Sequence, residues 1–361
     1  MMVEIETSAI DYEIRAMFRT VIDKTEGHHP SFRKALHIAA NSALGGKLLR
    51  PRLFLDLYEV LADPDDKFRY DGVESPVKEI AAAIEVLHFA FLLHDDVIDG
   101  DFIRRGRPNF ISRLAQQSKI STDDHHDAER KEWARSSAIL IGDLLLAEVH
   151  QIFARLDLPH AKRLQLLDLL DHAITDSIIG EFMDVSLSKG LISPQLADVQ
   201  QMSRLKTATY TFELPLCSAA IMAGYDPQKS AEFATLGGLL GLLFQFQDDF
   251  LSAFGNQAEH GKDELSDVRE GKETLIIAYA RKTAAWPLIQ PYFGNANLNK
   301  ENIREIKELL VTCGAQSFLE DTIAHTARLC RDQILRITAF SPAEVPVLLN
   351  ALVDSLEGRR S

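Results

Sequence analysis

Long helical segments that begin with a capping residue followed by proline constrain the fold of this chain more than any other feature. The three pairs are Ser75-Pro76, Ser193-Pro194 and Asp226-Pro227. Each places a side-chain oxygen before a proline, as is favoured at a helix N-terminus. They predict helices over about residues 76–101, 194–224 and 227–255. Pro215 predicts a kink in the second helix. Runs of strand length that alternate apolar and polar residues are scarce, so the fold is predicted to be all-α.

Two of these helices are predicted to lie at the centre of the fold. Between Ile80 and Leu93 apolar residues occupy almost every helical face, and TLGGLLGLLFQF places glycines among leucines, which allows close packing of a neighbouring backbone. The polar stretch that begins at Gln116 is interpreted as an inserted loop before an apolar helix at AILIGDLLLAEVH. Because the motifs described below must converge on one cavity, the 361 residues are predicted to form a single large helical domain, residues 1–361.

An acidic cluster ends the first central helix. In HDDVIDGD, Asp95 and Asp99 lie one turn apart on the same face, with Asp96 beside them. Carboxylates spaced in this way suit Mg²⁺, which proteins bind through one or two carboxylates together with phosphate oxygens. The alternative interpretation is a solvated acidic helix end.

A second acidic cluster lies near the end of the other central helix. In FQFQDDFLSAFG, one helical face carries Gln245, Asp248 or Asp249, and Ser252. Because both clusters occur where an apolar helix meets the outside, they can face each other if one core brings the two helices together. Two such clusters favour a functional site over coincidence.

Basic residues follow both clusters, although the chain as a whole is acidic. Lys and Arg number 39 against 53 Asp and Glu, which gives a net charge of −14. That balance argues against binding nucleic acid or an anionic membrane surface by bulk electrostatics. The most apolar stretches, residues 80–93 and 236–244, are too short or too interrupted to predict stable membrane insertion. The basic residues near the motifs are Lys47, Arg50, Arg104, Arg105, Lys206, Lys262 and Lys272. Together with the acids they predict a site for a phosphorylated ligand, whereas any one lysine could equally be a solvated surface charge.

A series of motifs runs from about Gly45 to Thr274. In order they are GGKLLRP, EVLHFAFLLHDDVID, RRGRP, GDLLL, GEFMD, LKTATYTF, FQFQDD and GKDELSDVREGKETL. This series resembles the polyprenyl synthetase family of trans-isoprenyl diphosphate synthases, and DDFLSAFG followed by DVREGKETL resembles its actinobacterial branch. The resemblance implies a helical bundle of the isoprenoid synthase type. It also implies Mg²⁺-dependent ionisation of an allylic diphosphate (dimethylallyl, geranyl or farnesyl), condensation with isopentenyl diphosphate and loss of a proton.

The resemblance further implies roles for individual residues. Three Mg²⁺ ions, with Mn²⁺ as a substitute, would be held by Asp95, Asp99 and Asp248, while Asp96 and Asp249 would shape the cluster. The residues implied to bind the allylic diphosphate are Arg104, Lys206, Gln245 and Lys262, with Thr207 among the substrate-binding residues. Those implied to bind isopentenyl diphosphate are Lys47, Arg50, His88 and Arg105, with Phe244 against its hydrocarbon part. His94, beside the first cluster, is interpreted as a packed or hydrogen-bonded histidine rather than a general base.

Product length is predicted from the helix below the first cluster. Phe91 lies one turn below Asp95 and Leu87 two turns below it, so both can form the floor of the chain-elongation cavity. A large ring at Phe91 predicts a short product, and the small Ala90 beside it leaves that floor incomplete. We expect a product of fifteen or twenty carbons, with twenty preferred. The alternative is that Phe91 is core packing only.

Three departures from the family pattern concern the site. Ser252 replaces a frequent third aspartate, Leu48 replaces a frequent arginine, and Glu181 replaces a common glutamine and so adds negative charge. Two other functions stay open: a class I terpene cyclase, which would not need Lys47, Arg50 and Arg105, and a non-catalytic subunit of a heteromeric prenyl synthase. The family implies a homodimer. The acidic N-terminal segment MMVEIETSAIDYEIR does not resemble a signal peptide, so a cytoplasmic protein is expected.

Overall fold

A computed structural model describes residues 7–63, 75–104, 106–118, 126–255 and 264–358. These residues are grouped in two compact units. The first contains the chain up to Leu170 together with Ile221–Gly224, and the second contains Asp171–Ala220 together with the chain from Tyr225. Apart from a two-stranded ribbon, the regular structure of the described residues is helical, which confirms the all-α prediction. The single-domain interpretation stays a prediction.

The first unit is built around one buried helix. Its elements are α1 (Thr7–Lys24), α2 (Pro30–Ser42), α3 (Leu49–Leu61), α4 (Pro76–Ile98), β1 (Ile103–Arg104), β2 (Arg107–Pro108), α5 (Phe110–Gln116) and α6 (Asp127–Arg155). Helix α4 packs against α1, α3 and α6. All residues from Ile80 to Ala90 are buried, which confirms the central position predicted for this helix. The Ser75 hydroxyl accepts a hydrogen bond from the Val77 amide at 3.3 Å and caps the helix as predicted.

The remaining helices follow in chain order. They are α7 (His160–Ser188), α8 (Leu196–Ser203), a π-helix (Arg204–Glu213), α9 (Leu214–Met222), α10 (Pro227–Phe254), α11 (Ser266–Glu270), α12 (Leu275–Ala280), α13 (Trp286–Ile289), a 3₁₀ turn (Gln290–Tyr292), α14 (Lys300–Thr312), α15 (Ala315–Thr338) and α16 (Glu344–Glu357). The chain passes between the two units inside α7 and near the end of α9.

Helix α10 is the central helix of the second unit. It packs against the π-helix, α15 and α16. A Cβ atom added at Gly241 would overlap Ala208, and one added at Gly237 would lie 2.7 Å from the backbone of Glu213. The predicted close approach of a neighbouring backbone is therefore confirmed, and the neighbour is the π-helix.

The second predicted helix differs from the structure at both of its expected features. It begins at Leu196 rather than Pro194, with Gln195 at the N-cap, and the Ser193 hydroxyl accepts a hydrogen bond from the Gln195 side chain at 3.3 Å. The chain also does not simply kink at Pro215. Instead it widens into the π-helix before this proline, where the Leu214 amide donates to the Thr209 carbonyl five residues earlier.

Helix α6 begins earlier than the sequence predicted. The polar residues from Asp127 onward belong to the helix rather than to the loop, because Asp127 pairs with Arg130 at 3.1 Å and Lys131 at 2.7 Å along one face. Within the described part of the chain, α6 is long and apolar enough to span a membrane by length and composition, and 33% of its apolar window is buried. Its buried face packs against α4 and α5.

Candidate active site

The last turn of α4 carries the first acidic cluster. Asp96 is 3% exposed, Asp95 is half-buried, and the exposed Asp99 donates its backbone amide to the Asp95 carbonyl at 2.9 Å. Arg104 Nε donates to Asp96 Oδ1 at 2.8 Å. Arg104 Nη2 donates to Asp95 Oδ2 at 2.8 Å and to Asp96 Oδ1 at 2.6 Å. The structure therefore brings Asp95, Asp96 and Arg104 together.

The electrostatics of this cluster reflect burial and its compensation. Burial raises the pKa of Asp96, and the nearby Arg104 guanidinium opposes that shift. Burial alone would lower the pKa of Arg104, but Asp96 and Asp95 outweigh it and raise the pKa of this guanidinium. Arg104 is therefore fully charged, and it neutralises part of the cluster.

A short ribbon positions Arg104. Strands β1 and β2 are antiparallel with Arg104 opposite Arg107, and Gly106 takes a φ of 69° in the turn. The Phe102 carbonyl accepts hydrogen bonds from the Ser112 hydroxyl at 2.6 Å and the Asn109 amide at 3.1 Å. These bonds hold the start of the ribbon against α5. Arg105, in the same turn, lies outside the described residues.

Two cations from α6 flank the Phe102 ring. Lys131 Nζ and Arg135 Cζ each lie 5.0 Å from the ring centroid, within the range of cation–π attraction. This contact connects the segment between the first acidic cluster and Arg104 to α6.

His94 is packed and hydrogen-bonded, as expected. Its Nε2 atom lies 3.3 Å from the Ile139 carbonyl oxygen and 3.2 Å from Asp143 Oδ1. A Cβ added at Gly142 would overlap the imidazole ring, so the glycine of the GDLLL motif makes room for it. His94 therefore contacts α6.

The second acidic cluster is part of a hydrogen-bonded chain on α10. The Thr207 hydroxyl donates to Gln245 Oε1 at 3.0 Å, and Gln245 Nε2 donates to Asp249 Oδ1 at 2.8 Å. The Leu275 amide lies 3.4 Å from Asp249 Oδ2. Within the second unit the structure thus joins three of the predicted residues, while Asp248 beside them is half-buried.

Asp249 is the most strongly perturbed acid of this cluster. Burial, and then the negative charge of Asp267, raise its pKa to about 8, while the hydrogen bond from Gln245 acts in the opposite direction. Ser252, at the position of a frequent aspartate, lies 3.3 Å (Oγ to Oγ) from Ser266. Asp267 follows Ser266, so a carboxylate from α11 adds negative charge near the second cluster.

Lys206 is held by two acids of the GEFMD motif. Its Nζ atom lies 2.9 Å from Glu181 Oε2 and 2.6 Å from Asp184 Oδ2. Burial of the three side chains is similar, with 23%, 23% and 13% exposure for Lys206, Glu181 and Asp184. The negative charge predicted for Glu181 is therefore next to a predicted diphosphate contact.

The other predicted residues are distributed over the two units. In the first unit Lys47 is exposed, Arg50 and Phe91 are half-buried, and Leu87, His88 and Ala90 are buried. Leu48, where the family often has arginine, is 2% exposed with a left-handed φ of 50°, so its side chain belongs to the core. In the second unit the Phe244 ring lies 5.8 Å from the Phe212 ring. Lys262 lies outside the described residues.

The donor set is suited to a hard divalent cation that binds together with its substrate. Carboxylate oxygens are the ligands that Mg²⁺ prefers, and it commonly takes only one or two from the protein and others from phosphate. Within the described ranges, no three His, Cys, Asp or Glu residues form a group that could hold a metal ion by itself. Each acidic cluster, taken by itself, therefore supplies carboxylate oxygens of the kind that Mg²⁺ takes together with phosphate oxygens.

Comparison with known proteins gives consistent results. Residues 33–310 match the Polyprenyl synthetase family model. The chain is 30% identical to a short chain isoprenyl diphosphate synthase of Methanocaldococcus jannaschii, over 74% of this chain and 72% of the relative. It is also 30% identical to a geranylgeranyl diphosphate synthase of Mycobacterium tuberculosis, over 84% of this chain and 71% of the relative.

A solved structure agrees with these sequence relatives. It is the geranylgeranyl pyrophosphate synthase of Corynebacterium glutamicum complexed with isoprenyl diphosphate and magnesium, which is 26% identical to this chain. The two structures have a TM-score of 0.82 over 97% of this chain and 99% of that chain. The chain belongs to the polyprenyl synthetase family. The resemblance stated from the motifs is confirmed, and this polyprenyl synthetase is a trans-prenyltransferase.

Several residues that contact the site of this polyprenyl synthetase were not predicted from its sequence. They are Phe102, Lys131, Arg135, Asp184 and Asp267. Asp184 lies in the GEFMD motif three residues after Glu181, so helical spacing would have placed both on one face. No pattern in the sequence links Phe102 to the two cations of α6.

We predict that replacing Phe102 by Leu lowers the kcat/KM of prenyl transfer about fivefold, since a cation–π contact contributes on the order of 1 kcal/mol. Leucine keeps apolar bulk but removes the ring face between Lys131 and Arg135. Steady-state kinetics measures the change in kcat/KM, and the thermal unfolding temperature of the variant is measured alongside it. Phe32→Leu in α2, at a ring that is 37% exposed, serves as the matched control. An unchanged kcat/KM in Phe102→Leu would contradict the positioning role.

Proposed function

We propose that this enzyme condenses isopentenyl diphosphate with an allylic diphosphate, in the trans configuration and with Mg²⁺. The observation that carries this proposal is the last turn of α4, where Arg104 bonds both Asp95 and Asp96 in a chain that matches the family over residues 33–310. A cationic group among acids at a helix end is suited to binding diphosphate and metal together.

Asp95, Asp99 and Asp248 are the proposed metal ligands. Three Mg²⁺ ions per site are expected, with Mn²⁺ as a substitute. When bound, the ions would act as Lewis acids that stabilise the departing pyrophosphate. Asp96 and Asp249 shape the two clusters, since both are buried and hydrogen-bonded by neighbouring side chains.

Cationic and polar side chains are proposed to bind the substrates. The proposed allylic diphosphate contacts are Arg104, Lys206, Thr207, Gln245 and Lys262, and the proposed isopentenyl diphosphate contacts are Lys47, Arg50, His88 and Arg105, with Phe244 against its hydrocarbon part. Thr207 and Gln245 are hydrogen-bonded to each other, which fixes the orientation of both side chains. Loss of pyrophosphate would leave an allylic cation, the double bond of isopentenyl diphosphate would attack it, and the departing pyrophosphate would take up the proton that is lost.

We predict that Asp95→Ala lowers incorporation of labelled isopentenyl diphosphate about 100-fold or more, the scale seen when one electrostatic stabiliser of a transition state is lost. The assay supplies Mg²⁺ and, in turn, dimethylallyl, geranyl or farnesyl diphosphate. Asp23→Ala on the exposed face of α1 is the matched control and should leave the rate unchanged.

The same assay separates the competing functions. Linear prenyl diphosphates support the synthase, whereas cyclic hydrocarbons would indicate a terpene cyclase. If the purified protein incorporates no label with any primer, it is a non-catalytic subunit. A retained rate in Asp95→Ala would overturn the metal assignment.

The product is proposed to contain fifteen or twenty carbons, with twenty preferred. Leu87 and Ala90 are buried, and Phe91 is half-buried one turn before Asp95 on α4. A ring at Phe91 would block a longer chain, while Ala90 leaves space beside it. The relatives' names support a short-chain product but do not fix its length.

We predict that Phe91→Ala yields a product longer by one or more five-carbon units, because the substitution removes a ring from the proposed floor of the cavity. Chromatography of the dephosphorylated alcohols measures the distribution. Leu92→Ala, an adjacent truncation on another face of α4, should leave the distribution as in the wild type. The same product profile in Phe91→Ala would assign that ring to core packing.

A homodimer is proposed from exposed apolar side chains on α6 and on α7. On α6, Leu140 is 64% exposed and Ile139 is 42% exposed. On α7, Phe182 is 69% exposed and Ile178 is 55% exposed. Large apolar surfaces of this kind mark interfaces between proteins.

We predict that Leu140→Glu and Phe182→Glu each shift the protein towards the monomer in analytical ultracentrifugation, since each would bury an unpaired charge in the interface. Leu335→Glu on α15, at a side chain that is also 69% exposed, is the control and should leave the mass unchanged. A wild type that sediments as a monomer would refute the dimer.

Three further expectations complete the proposal. The two units are proposed to act as one domain, because both acidic clusters are required for the same diphosphate. The net charge of −14 supports a protein that binds no nucleic acid, and stable membrane insertion is not expected because α6 packs against α4 and α5. Cell fractionation would test the cytoplasmic location, and an enzyme recovered only with membranes would contradict it.

A further inference from the structure

Lys206 is paired with two carboxylates at the same time. Its ammonium group contacts Glu181 at 2.9 Å and Asp184 at 2.6 Å. Because the three side chains are between 13% and 23% exposed, solvent screens these ion pairs only partly.

Backbone packing fixes the position of the trio. A Cβ atom added at Gly180 would overlap the backbone nitrogen of Lys206, so α7 and the π-helix touch at this point. Glu181 and Asp184 follow Gly180 by one and four residues and are three residues apart on α7, so they share a face. The contact of the two backbones therefore places the start of the Lys206 side chain beside both acids.

We infer that Glu181 retains Lys206 on α7 and thereby competes with the allylic diphosphate for its ammonium group. The inference rests on the proposed function, in which Lys206 binds that diphosphate. Glu181 is then a positioning residue that acts through Lys206 and sets the affinity for the allylic substrate. Asp184 alone would be sufficient to pair with Lys206. The second ion pair, with Glu181, therefore makes it less favourable for the ammonium group to leave these acids and bind the substrate diphosphate.

Glu181→Gln is the informative substitution because it removes one charge and keeps the shape of the side chain. The glutamine carbonyl oxygen can still accept a hydrogen bond from Lys206. We expect the KM for geranyl diphosphate to fall about threefold to tenfold, in the range of coupling for partly exposed ion pairs. The kcat and the KM for isopentenyl diphosphate should stay within about twofold of the wild type, since neither depends on releasing Lys206 from the resting trio.

Direct binding provides a second measurement. Calorimetric titration with geranyl thiodiphosphate and Mg²⁺, a substrate analogue that ionises poorly, should show tighter binding to Glu181→Gln by the same factor. Glu320→Gln on the exposed face of α15 is the matched control and should bind the analogue as the wild type does.

A double-mutant cycle tests whether Glu181 acts through Lys206. In the Lys206→Ala background, Glu181→Gln should change the affinity for the analogue by less than twofold. The same threefold to tenfold gain in that background would show direct repulsion and would overturn the inference. So would an unchanged KM, or a fall in kcat alone, in the single variant. If the wild type condenses no allylic diphosphate, the proposed function fails instead, whereas the titrations still measure the Glu181 effect.

Discussion

Two carboxylates that are almost completely buried near the ends of central helices place the strongest physical constraint on this protein. Asp96 and Asp249 are each 3% exposed. Burial disfavours the charged form of a carboxylate, and at Asp96, in the last turn of α4, the partial negative charge of the helix C-terminus adds to the cost. The structure around each acid must therefore supply donors, and much of the local architecture near the proposed site serves that purpose.

The two units supply those donors in different ways. In the first, the positively charged Arg104 donates a hydrogen bond to Asp96. The ribbon that carries Arg104 is held in position by contacts of Phe102 with α5 and α6. In the second, the donors to Asp249 are the neutral side chain of Gln245 and the Leu275 amide. Burial, and then the negative charge of Asp267, raise the pKa of Asp249 to about 8, and the hydrogen bond from Gln245 offsets that shift only in part. A full positive charge thus compensates the buried acid of the first cluster, whereas neutral hydrogen-bond donors contact that of the second.

The sequence was sufficient to predict the central helices and the acids near their ends, because these depend on local patterns. Apolar residues around the whole of α4, and glycines in α10, indicate burial without knowledge of any partner. The second predicted helix begins two residues later than expected, with Gln195 rather than Ser193 at its N-cap. The widening of the chain before Pro215 depends on how the π-helix packs, so a proline rule alone predicts only a kink.

The contacts of the site residues were harder to predict, because they join segments far apart in the chain. Arg104 was predicted as a substrate contact. Its bonds to Asp95 and Asp96 depend on a β-ribbon whose two strands are each only two residues long. Lys206 and Glu181 were both noted, but their pairing requires the close approach of α7 and the π-helix at Gly180. Helical periodicity describes one helix at a time and carries no information about which two helices touch.

The π-helix shows how a rigid backbone and a movable side chain can be combined. Gly180 allows α7 to approach the first turn of the π-helix. Gly237 and Gly241 allow α10 to approach the π-helix at Glu213 and Ala208, respectively. Side chains larger than hydrogen at these glycines would push the backbones apart, so the backbone that carries Lys206 is closely confined by both neighbours. The lysine side chain beyond it is long and has several rotatable bonds. The position of its ammonium group therefore depends on the charges around it, among them Glu181 and Asp184 of α7.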